Sequence, residues 1–268
     1  GSDIAEAHLD GDDSTDPFEL LEGKTSCHTG WLKSAGMLMP MGYLIKNGYV
    51  NAIGDASDIN SLRTTIDTHF DGSEGNGNPA SIPDSGSLYS GYSGAIECLS
   101  SGYGDVAFAK GDDFSTPEKY CGDENSSNNE EWCLEMDEYI QLPSFGQSPS
   151  HPVMYNPEML DVHTRNAILN AMLSWNDEMW VEDYPMGGQS YTGCYNVVTH
   201  QVADIPMNQC GGEILSSVTS KGYNLVAGNS QNHLGSYSNL LGSIPGLSEY
   251  YHSSDKYGIT DAEDSEQN

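Results

Sequence analysis

The stretch GKTSCHTGWLKSAG, residues 23 to 36, has the pattern of a strand that runs into a tight turn at the start of a helix. Gly30 and Gly36 carry no side chain, so backbone amides can approach a ligand closely at both positions. Thr29 adds a hydroxyl, and Lys33 adds a positive charge one turn into the helix. Because the unpaired amides of a helix start attract anions, this stretch predicts an anion-binding turn.

The rest of the chain alternates short strands with helices, which predicts an α/β fold with a mixed sheet. Before residue 110 the patterns predict a strand over 25–29, a helix over 33–45, a helix over 92–100 and a strand over 105–109. Beyond it they predict a strand over 152–155, a helix over 157–175 with one apolar face, a helix and strand over 212–226 and a helix over 236–241.

The chain is strongly acidic, with 40 acidic residues against 9 basic ones and a net charge of −31 over 268 residues. Clusters of Lys and Arg that could release counterions from nucleic acid or anionic lipid are absent, so cations are the expected partners. A solvated surface suited to saline water is the simpler explanation of the charge. No run of about 18 apolar residues occurs, which predicts a soluble chain and leaves any membrane anchor outside this sequence.

The six cysteines form no C-x-x-C pair, so their number indicates disulfides and an oxidising, extracellular location. Their spacing favours Cys121 with Cys133 and Cys194 with Cys210. A glycosylation sequon at residues 125–127 gives weak support for the same location.

Three segments, taken in order and spacing, resemble the second half-domain of a transferrin lobe. They are the turn over 23–36, GYSGAIECL over 91–99 and GDVAFAK over 104–110. The acidity, the cysteines and the short length make the chain similar in character to the phytotransferrins, the iron-uptake proteins of marine algae. The resemblance implies a transferrin-like, type 2 periplasmic-binding-protein-like half-domain, and it implies that Cys27 pairs with Cys98.

Composition and the resemblance together predict the domain organisation, the leader being acidic and without periodicity. Residues 1–17 are expected to form a flexible acidic leader, and residues 18–180 a transferrin-like anion- and metal-binding domain. Residues 181–268 are expected to form a disulfide-pinned C-terminal segment, part of a second half-domain, that ends in a disordered acidic tail.

In transferrins the anion turn holds carbonate, and the matching groups here are the side chains of Thr29 and Lys33 and the amides of Ala35 and Gly36. The family usually carries arginine where this chain has Lys33. Arginine grips an oxyanion through two hydrogen bonds, whereas lysine acts as a point charge, so anion affinity or its pH response is expected to differ.

The tyrosine of GYSGA is a direct ferric ligand in transferrins, which makes Tyr92 the expected metal ligand; packing at a helix start is the alternative. A late histidine completes the family site. The phrase NSQNH points to His233, whereas counting back from Ile244 and Pro245 reaches Asn239. An aspartate and a second tyrosine of the family site are not located, since only about twenty residues precede the matching segment. His28 and His151 are interpreted as structural histidines.

The leading hypothesis is therefore an extracellular or cell-surface protein that captures ferric iron with carbonate for uptake, with release in acidic endosomes. The alternatives are an anion-binding solute receptor of the phosphate or phosphonate type and a metal-free structural or interaction module. A hydrolytic enzyme is not expected, because neither a G-x-S-x-G elbow nor an H-E-x-x-H motif occurs. A receptor partner cannot be named from the sequence.

Overall fold

The structure is a computed structural model that divides into two compact units, residues 1–149 with 234–268 and residues 150–233. The part of the chain that it describes comprises residues 2–9, 16–70, 80–110, 121, 130–149, 152–156, 158–218, 225–228 and 230–252.

The first unit is built around a small parallel sheet. Its strands are β1 (Ser26–His28), β2 (Ala80–Ser81) and β3 (Val106–Phe108), in the order β2-β1-β3. Helices α1 (Ser2–Leu9), α2 (Met39–Lys46), α3 (Asn60–His69) and α4 (Gly91–Ser100) belong to the same unit, and a π-helical turn over Ser34–Leu38 leads directly into α2. The central position of β1 places the turn that follows it at the carboxyl edge of the sheet, where open α/β sheets bind ligands.

The second unit is built around an antiparallel sheet. Helix α5 (Val162–Ser174) is followed by β4 (Glu178–Met186), β5 (Gln189–Asn196) and β6 (Gln201–Ala203), which pair in that order. Helix α6 (Gly211–Val218) packs against β4 and against the 3₁₀ turn Trp175–Asp177.

The chain returns to the first unit through α7 (Ser230–Leu241) and α8 (Leu247–His252). Helix α7 is kinked at Gly235, whose φ of 48° is left-handed. Gly42 of α2 has no side chain, and a Cβ there would lie 2.5 Å from the Leu240 carbonyl oxygen. Glycine therefore allows α7 to pack closely on α2.

The core of the first unit lies between α2, α3 and the sheet. Its most deeply buried apolar side chains, all 0% exposed, are Leu21, Met37, Met41, Leu44, Leu62, Ile66 and Phe70. At about 25 cal/mol per Å² of apolar surface buried, this cluster stabilises the packing of α2 and α3 in the first unit.

All three disulfides expected from the sequence are present. Cys27 pairs with Cys98, Cys121 with Cys133 and Cys194 with Cys210. The α/β class is confirmed, with parallel and antiparallel pairing in separate sheets. The strands and helices expected before residue 110 are also confirmed, although the helix expected over 33–45 begins as a π-helical turn.

The N-terminal segment differs from the expected flexible leader. Residues Ser2–Leu9 form α1, in which Ile4 is buried at 3% exposure and Asp3 pairs with Lys24 at 2.6 Å. One apolar side chain that packs into the core thus orders an acidic segment without apolar periodicity. The expected boundary at residue 180 falls inside β4, whereas the units divide at residues 149 and 233.

The second unit departs further from expectation. Residues 152–155 form no strand, and α5 has no buried residue, although an apolar face was expected. Val162 is 57% exposed and Ile168 is 45% exposed. Helix α6 packs against β4, whereas the main contact of α5 is with the 3₁₀ turn Trp175–Asp177 that directly follows it. Among the described residues, no helix has the length and apolar character needed to cross a bilayer. The sequon at 125–127, His151 and the acidic tail from residue 253 lie outside the described residues.

Candidate functional site

The turn after β1 is shaped by backbone conformations that most residues avoid. Gly30 has a φ of 137°, which glycine adopts without strain, and Leu32 has a φ of 56°. The Lys33 amide donates to the Gly30 carbonyl at 3.3 Å and closes the turn. The chain thereby reverses from the sheet edge into the helix within a few residues.

The helix start presents amides that have no acceptor within the helix. The first helical bond runs from the Leu38 amide to the Lys33 carbonyl at 3.0 Å, five residues back. The amides of Ala35 and Gly36 lie inside this opening turn, where helical amides have no intrahelical partner. The π-helical turn continues into α2, so the dipole of an extended helical segment favours negative charge here.

Thr29 holds an unusual hydroxyl. The residue is 6% exposed, and its Oγ1 is buried without a hydrogen-bond partner among the described residues. A Cβ on Gly36 would lie 2.0 Å from that same oxygen, so Thr29 packs directly on the helix start. Buried hydroxyls are nearly always bonded, so an orphaned one at a helix start indicates an absent acceptor or donor.

Lys33 brings the positive charge to the same turn. It is exposed, and it makes no ion pair with any residue in the described part of the chain. Its side chain folds over the turn, because a Cβ on Gly30 would lie 3.5 Å from the Lys33 Cγ and 3.9 Å from its Cε. The ammonium group is thus available to an anion bound at the turn.

Tyr92 lies in the first turn of α4 and is 37% exposed. The neighbouring Gly91 amide donates to the Thr29 carbonyl at 3.0 Å, and this bond fixes the start of α4 against the anion turn. The Cys27–Cys98 disulfide joins β1 to the same helix. A Cβ on Gly104 would lie 2.2 Å from the Cys27 sulfur, so only glycine fits beside this bridge. The structure thus brings the Tyr92 backbone beside that of Thr29.

His28 lies directly behind the turn and is completely buried. Its Nδ1 lies 2.8 Å from the Gly36 carbonyl and its Nε2 lies 3.0 Å from the Ser26 hydroxyl. Because a carbonyl only accepts, Nδ1 carries the proton, and Nε2 accepts from Ser26. Burial lowers the pKa of His28 to about 4, and the bond to Gly36 opposes this shift. The ring is therefore neutral over the physiological pH range.

The two alternatives for the late ligand lie in different units. His233 is half-buried and is the last residue of the second unit, whereas Tyr92 belongs to the first. Asn239 is exposed on α7, and its carbonyl accepts from the Ser243 hydroxyl. A role for either residue as a metal ligand stays a prediction.

A carboxylate and two cysteine sulfurs meet in the second unit, at Glu178, Cys194 and Cys210. The two sulfurs are joined in a disulfide and have no thiolate to offer a metal. The Glu178 carboxylate instead accepts from the Gly211 amide at 2.8 Å, which caps the start of α6. This cluster is structural.

Comparison with known proteins identifies the family. Residues 12–155, more than half of the chain, match the family model described as Transferrin. The chain belongs to the transferrin family. The matched residues contain the turn, α4 and β3, and therefore Thr29, Lys33, Ala35, Gly36 and Tyr92. His233 and Asn239 lie outside them.

Individual transferrins are similar to this chain over about 100 to 130 residues. Ovotransferrin from Gallus gallus is 38% identical over 103 residues, which is 34% of this chain and 14% of that protein. Melanotransferrin from Homo sapiens is 33% identical over 113 residues, covering 35% and 15% of the two chains. Human lactotransferrin is 30% identical over 132 residues, covering 46% and 17%. The chain thus spans less than a fifth of the length of these transferrins.

Three features of the site were missed by sequence reasoning. They are the buried, unpartnered Thr29 hydroxyl, the bond from Gly91 to Thr29 and the bond from His28 to Gly36. The burial of the Thr29 hydroxyl depends on packing against Gly36, and the bond from Gly91 to Thr29 joins segments about sixty residues apart. Neither feature is encoded by a local pattern. A signal for the third was present, since His28 immediately precedes the predicted anion turn.

Proposed function

We propose that this chain binds ferric iron together with carbonate and serves iron capture outside the cell. Carbonate would lie at the turn after β1, held by the Thr29 hydroxyl, the Lys33 ammonium group and the amides of Ala35 and Gly36. Tyr92 would supply a phenolate oxygen to the metal, with His233 as a further candidate ligand. The remaining ligands are left unassigned.

The observation that carries the proposal is the orphaned Thr29 hydroxyl. It is buried at the start of a helix and has no partner among the described residues. A bound oxyanion would accept from this hydroxyl and from the helix-start amides together, which satisfies every one of these donors. A turn that served only to connect β1 with α2 would gain nothing from a buried hydroxyl in this position.

The charges of the turn suit a small dianion that is completed by a metal. Lys33 and the helix dipole supply less positive charge than carbonate carries negative charge, so the bound anion retains a surplus that attracts a cation. The overall charge of −31 works in the same direction. Carbonate would thus link the protein to the iron.

Tyr92 suits a ferric ion because phenolate is a hard oxygen donor and Fe³⁺ is a hard cation. Phenols ordinarily lose their proton near pH 10, and a bound trivalent ion drives this loss at neutral pH. The bond from Gly91 to Thr29, one residue before Tyr92, supports a site in which the metal would contact both the phenolate and the carbonate.

Two other functions are supported by part of the same site. An anion receptor of the phosphate or phosphonate type would use Thr29, Lys33 and the helix start, but it would not need Tyr92. A metal-free structural or interaction module would need none of these groups to bind a ligand. Neither alternative function would give a coloured iron complex.

The location follows from the disulfides. Three are formed, and such bridges persist in oxidising compartments outside the cytosol. We infer a secreted or cell-surface protein of the phytotransferrin type. In such a protein, acidification after uptake would protonate the carbonate and release the metal.

The test is titration with ferric iron in the presence of bicarbonate, followed by visible absorbance. A ferric–phenolate complex absorbs visible light, so the parent protein should become coloured at one equivalent of iron. Tyr92→Phe removes the phenolate oxygen but keeps the ring, so it should lose the band while circular dichroism stays unchanged. Tyr103→Phe is the matched control, because Tyr103 is also 37% exposed but follows the opposite end of α4. A colourless parent, or equal colour in Tyr92→Phe, would contradict the proposal.

A further inference from the structure

The helix that starts at the anion turn is bonded by a side chain of the central strand. The His28 Nδ1 lies 2.8 Å from the Gly36 carbonyl and donates a hydrogen bond to it. Pro40, where the π-helical turn passes into α2, has no N–H group, so the helix lacks one backbone donor near its start. The bond from His28 thus adds a connection between β1 and a helix start that is one backbone hydrogen bond short.

The His28 ring is held in one orientation by its hydrogen bonds and by the aromatic rings that pack against it. The Ser26 hydroxyl bonds the opposite ring nitrogen at 3.0 Å, and the rings of Phe108 and Phe70 pack against it with centroids at 5.0 and 6.1 Å. The ring is fully buried and cannot exchange these partners for water. Its bond to the Gly36 carbonyl therefore holds β1 and the helix start at a fixed distance from each other.

Gly36 connects this hydrogen bond to the proposed anion site. Its amide is one of the proposed carbonate donors, and a Cβ in its place would collide with Thr29. Amides that bind an anion must be held near their bound geometry, because ordering them at the moment of binding costs affinity. A shift of the helix start away from β1 would separate Thr29 from the amides.

We propose that His28 is a positioning residue, which sets the distance between the Thr29 hydroxyl and the helix-start amides by donating from Nδ1 to the Gly36 carbonyl. This inference rests on the proposed function, because it assigns His28 a role at the same anion site. His28 touches neither the anion nor the metal. It acts through Gly36 alone.

The test exploits the two ends of the ring. His28→Asn places an amide N–H near the position of Nδ1, so it keeps the donor to Gly36. His28→Gln places its amide near the position of Nε2, so it keeps the contact with Ser26 and loses the donor. Ser26→Ala removes a buried bond of the same ring without touching Gly36, and it controls for loss of stability.

The readout is the bicarbonate concentration at which half of the protein forms the coloured iron complex, at fixed pH. We expect His28→Gln to raise this concentration about tenfold, the factor that corresponds to roughly one neutral hydrogen bond. His28→Asn and Ser26→Ala should stay within about threefold of the parent. Equal values for the Asn and Gln variants would overturn the inference.

Hydrogen exchange of the iron-free protein separates this outcome from a failure of the proposed function. The Leu38 amide, which donates to Lys33 at 3.0 Å, reports on the helix start without any ligand. Its exchange should be faster in His28→Gln than in His28→Asn. If iron binding by the parent protein does not depend on bicarbonate, both the proposed anion site and the positioning role of His28 are excluded. A responsive parent with equal exchange in the two variants would overturn the inference alone.

Discussion

Thr29 and Lys33 differ in how firmly the fold fixes them, although both lie in the same turn. Thr29 is buried and packs on Gly36, so its hydroxyl has a single position. Lys33 is exposed on a flexible stem and supplies charge rather than geometry. At the scale of the residue, the proposal therefore assigns the orientation of the bound anion to Thr29 and its charge balance to Lys33.

Lys33→Ala should weaken carbonate-dependent iron binding about tenfold, because it removes one charge-assisted hydrogen bond from the dianion and leaves the helix-start amides in place. Lys33→Arg should bind as tightly as the parent or more tightly, since a guanidinium group grips an oxyanion through two bonds. Iron titration at fixed bicarbonate measures both effects, and Lys46→Ala, at the end of α2, is the control. Equal affinity of Lys33→Ala and the parent would exclude Lys33 from the site.

His28 should make the folded protein sensitive to acid. Its folded pKa is about 4, because burial disfavours the charged ring, whereas an unfolded histidine titrates near 6.5. Between these values only the unfolded chain binds the proton, so the unfolding free energy falls as the pH drops from about 6.5 towards 4. The loss approaches about 3 kcal/mol at the lower end.

Denaturant unfolding of the parent and of His28→Asn at about pH 7 and pH 4 measures this contribution. The parent should lose more stability than the variant over this interval, by an amount that approaches the stated value. Other groups that titrate in acid are common to both proteins and cancel in the difference. Identical losses would show that His28 is not the buried neutral group described above.

At the scale of the element, the proposed site is built on one continuous segment: β1, the turn after it and the helical segment from Ser34 to Lys46. The Cys27–Cys98 bridge and the bond from Gly91 to Thr29 fix α4 to this segment. Two segments about sixty residues apart in sequence thus form one site. The contact between Thr29 and Gly36 is its tightest point.

Gly36→Ala should disrupt the site, because a Cβ there would lie 2.0 Å from Thr29 Oγ1 and 2.6 Å from its Cγ2. Relief of the clash requires movement of Thr29 or of the helix start, at a cost of about 1–3 kcal/mol in stability. Thermal unfolding and iron titration should both register the change. Gly228→Ala is the control, since nothing lies within 4 Å of that position. A stable Gly36→Ala variant with normal iron binding would contradict this geometry.

Local patterns predicted the elements of the site well, because glycines, a helix start and a strand are properties of adjacent residues. The β4–β5 hairpin was missed, although Gly187 and Gly188 form its turn. Its alternation is interrupted by a register shift between Val181 and Tyr184, where Asp183 has a φ of 50°. A bulge of this kind moves side chains to the opposite face and removes the period-two signal.

The partners of the site residues could not be predicted in the same way. The burial of the Thr29 hydroxyl depends on Gly36, and the neutrality of His28 depends on Phe70 and Phe108 packing around it. Helix α1 illustrates the same point, since Ile4 is buried in the core and Asp3 pairs with Lys24. Tertiary packing decides these features, and no local pattern records it.

At the scale of the whole molecule, the proposed anion site belongs to a chain with a net charge of −31. The negative field opposes carbonate that arrives alone and favours the metal cation, so the two ligands are expected to bind together. Such coupling is reciprocal: carbonate tightens iron by the same factor by which iron tightens carbonate. This coupling between carbonate and iron is the central claim.

The most direct test is the affinity of the unmodified protein for ferric iron, measured at fixed pH and ionic strength across a bicarbonate series. The account predicts that affinity rises with bicarbonate and levels off once the turn is saturated, although no protein ligand changes. An affinity for iron that is independent of bicarbonate would contradict the carbonate-linked mechanism.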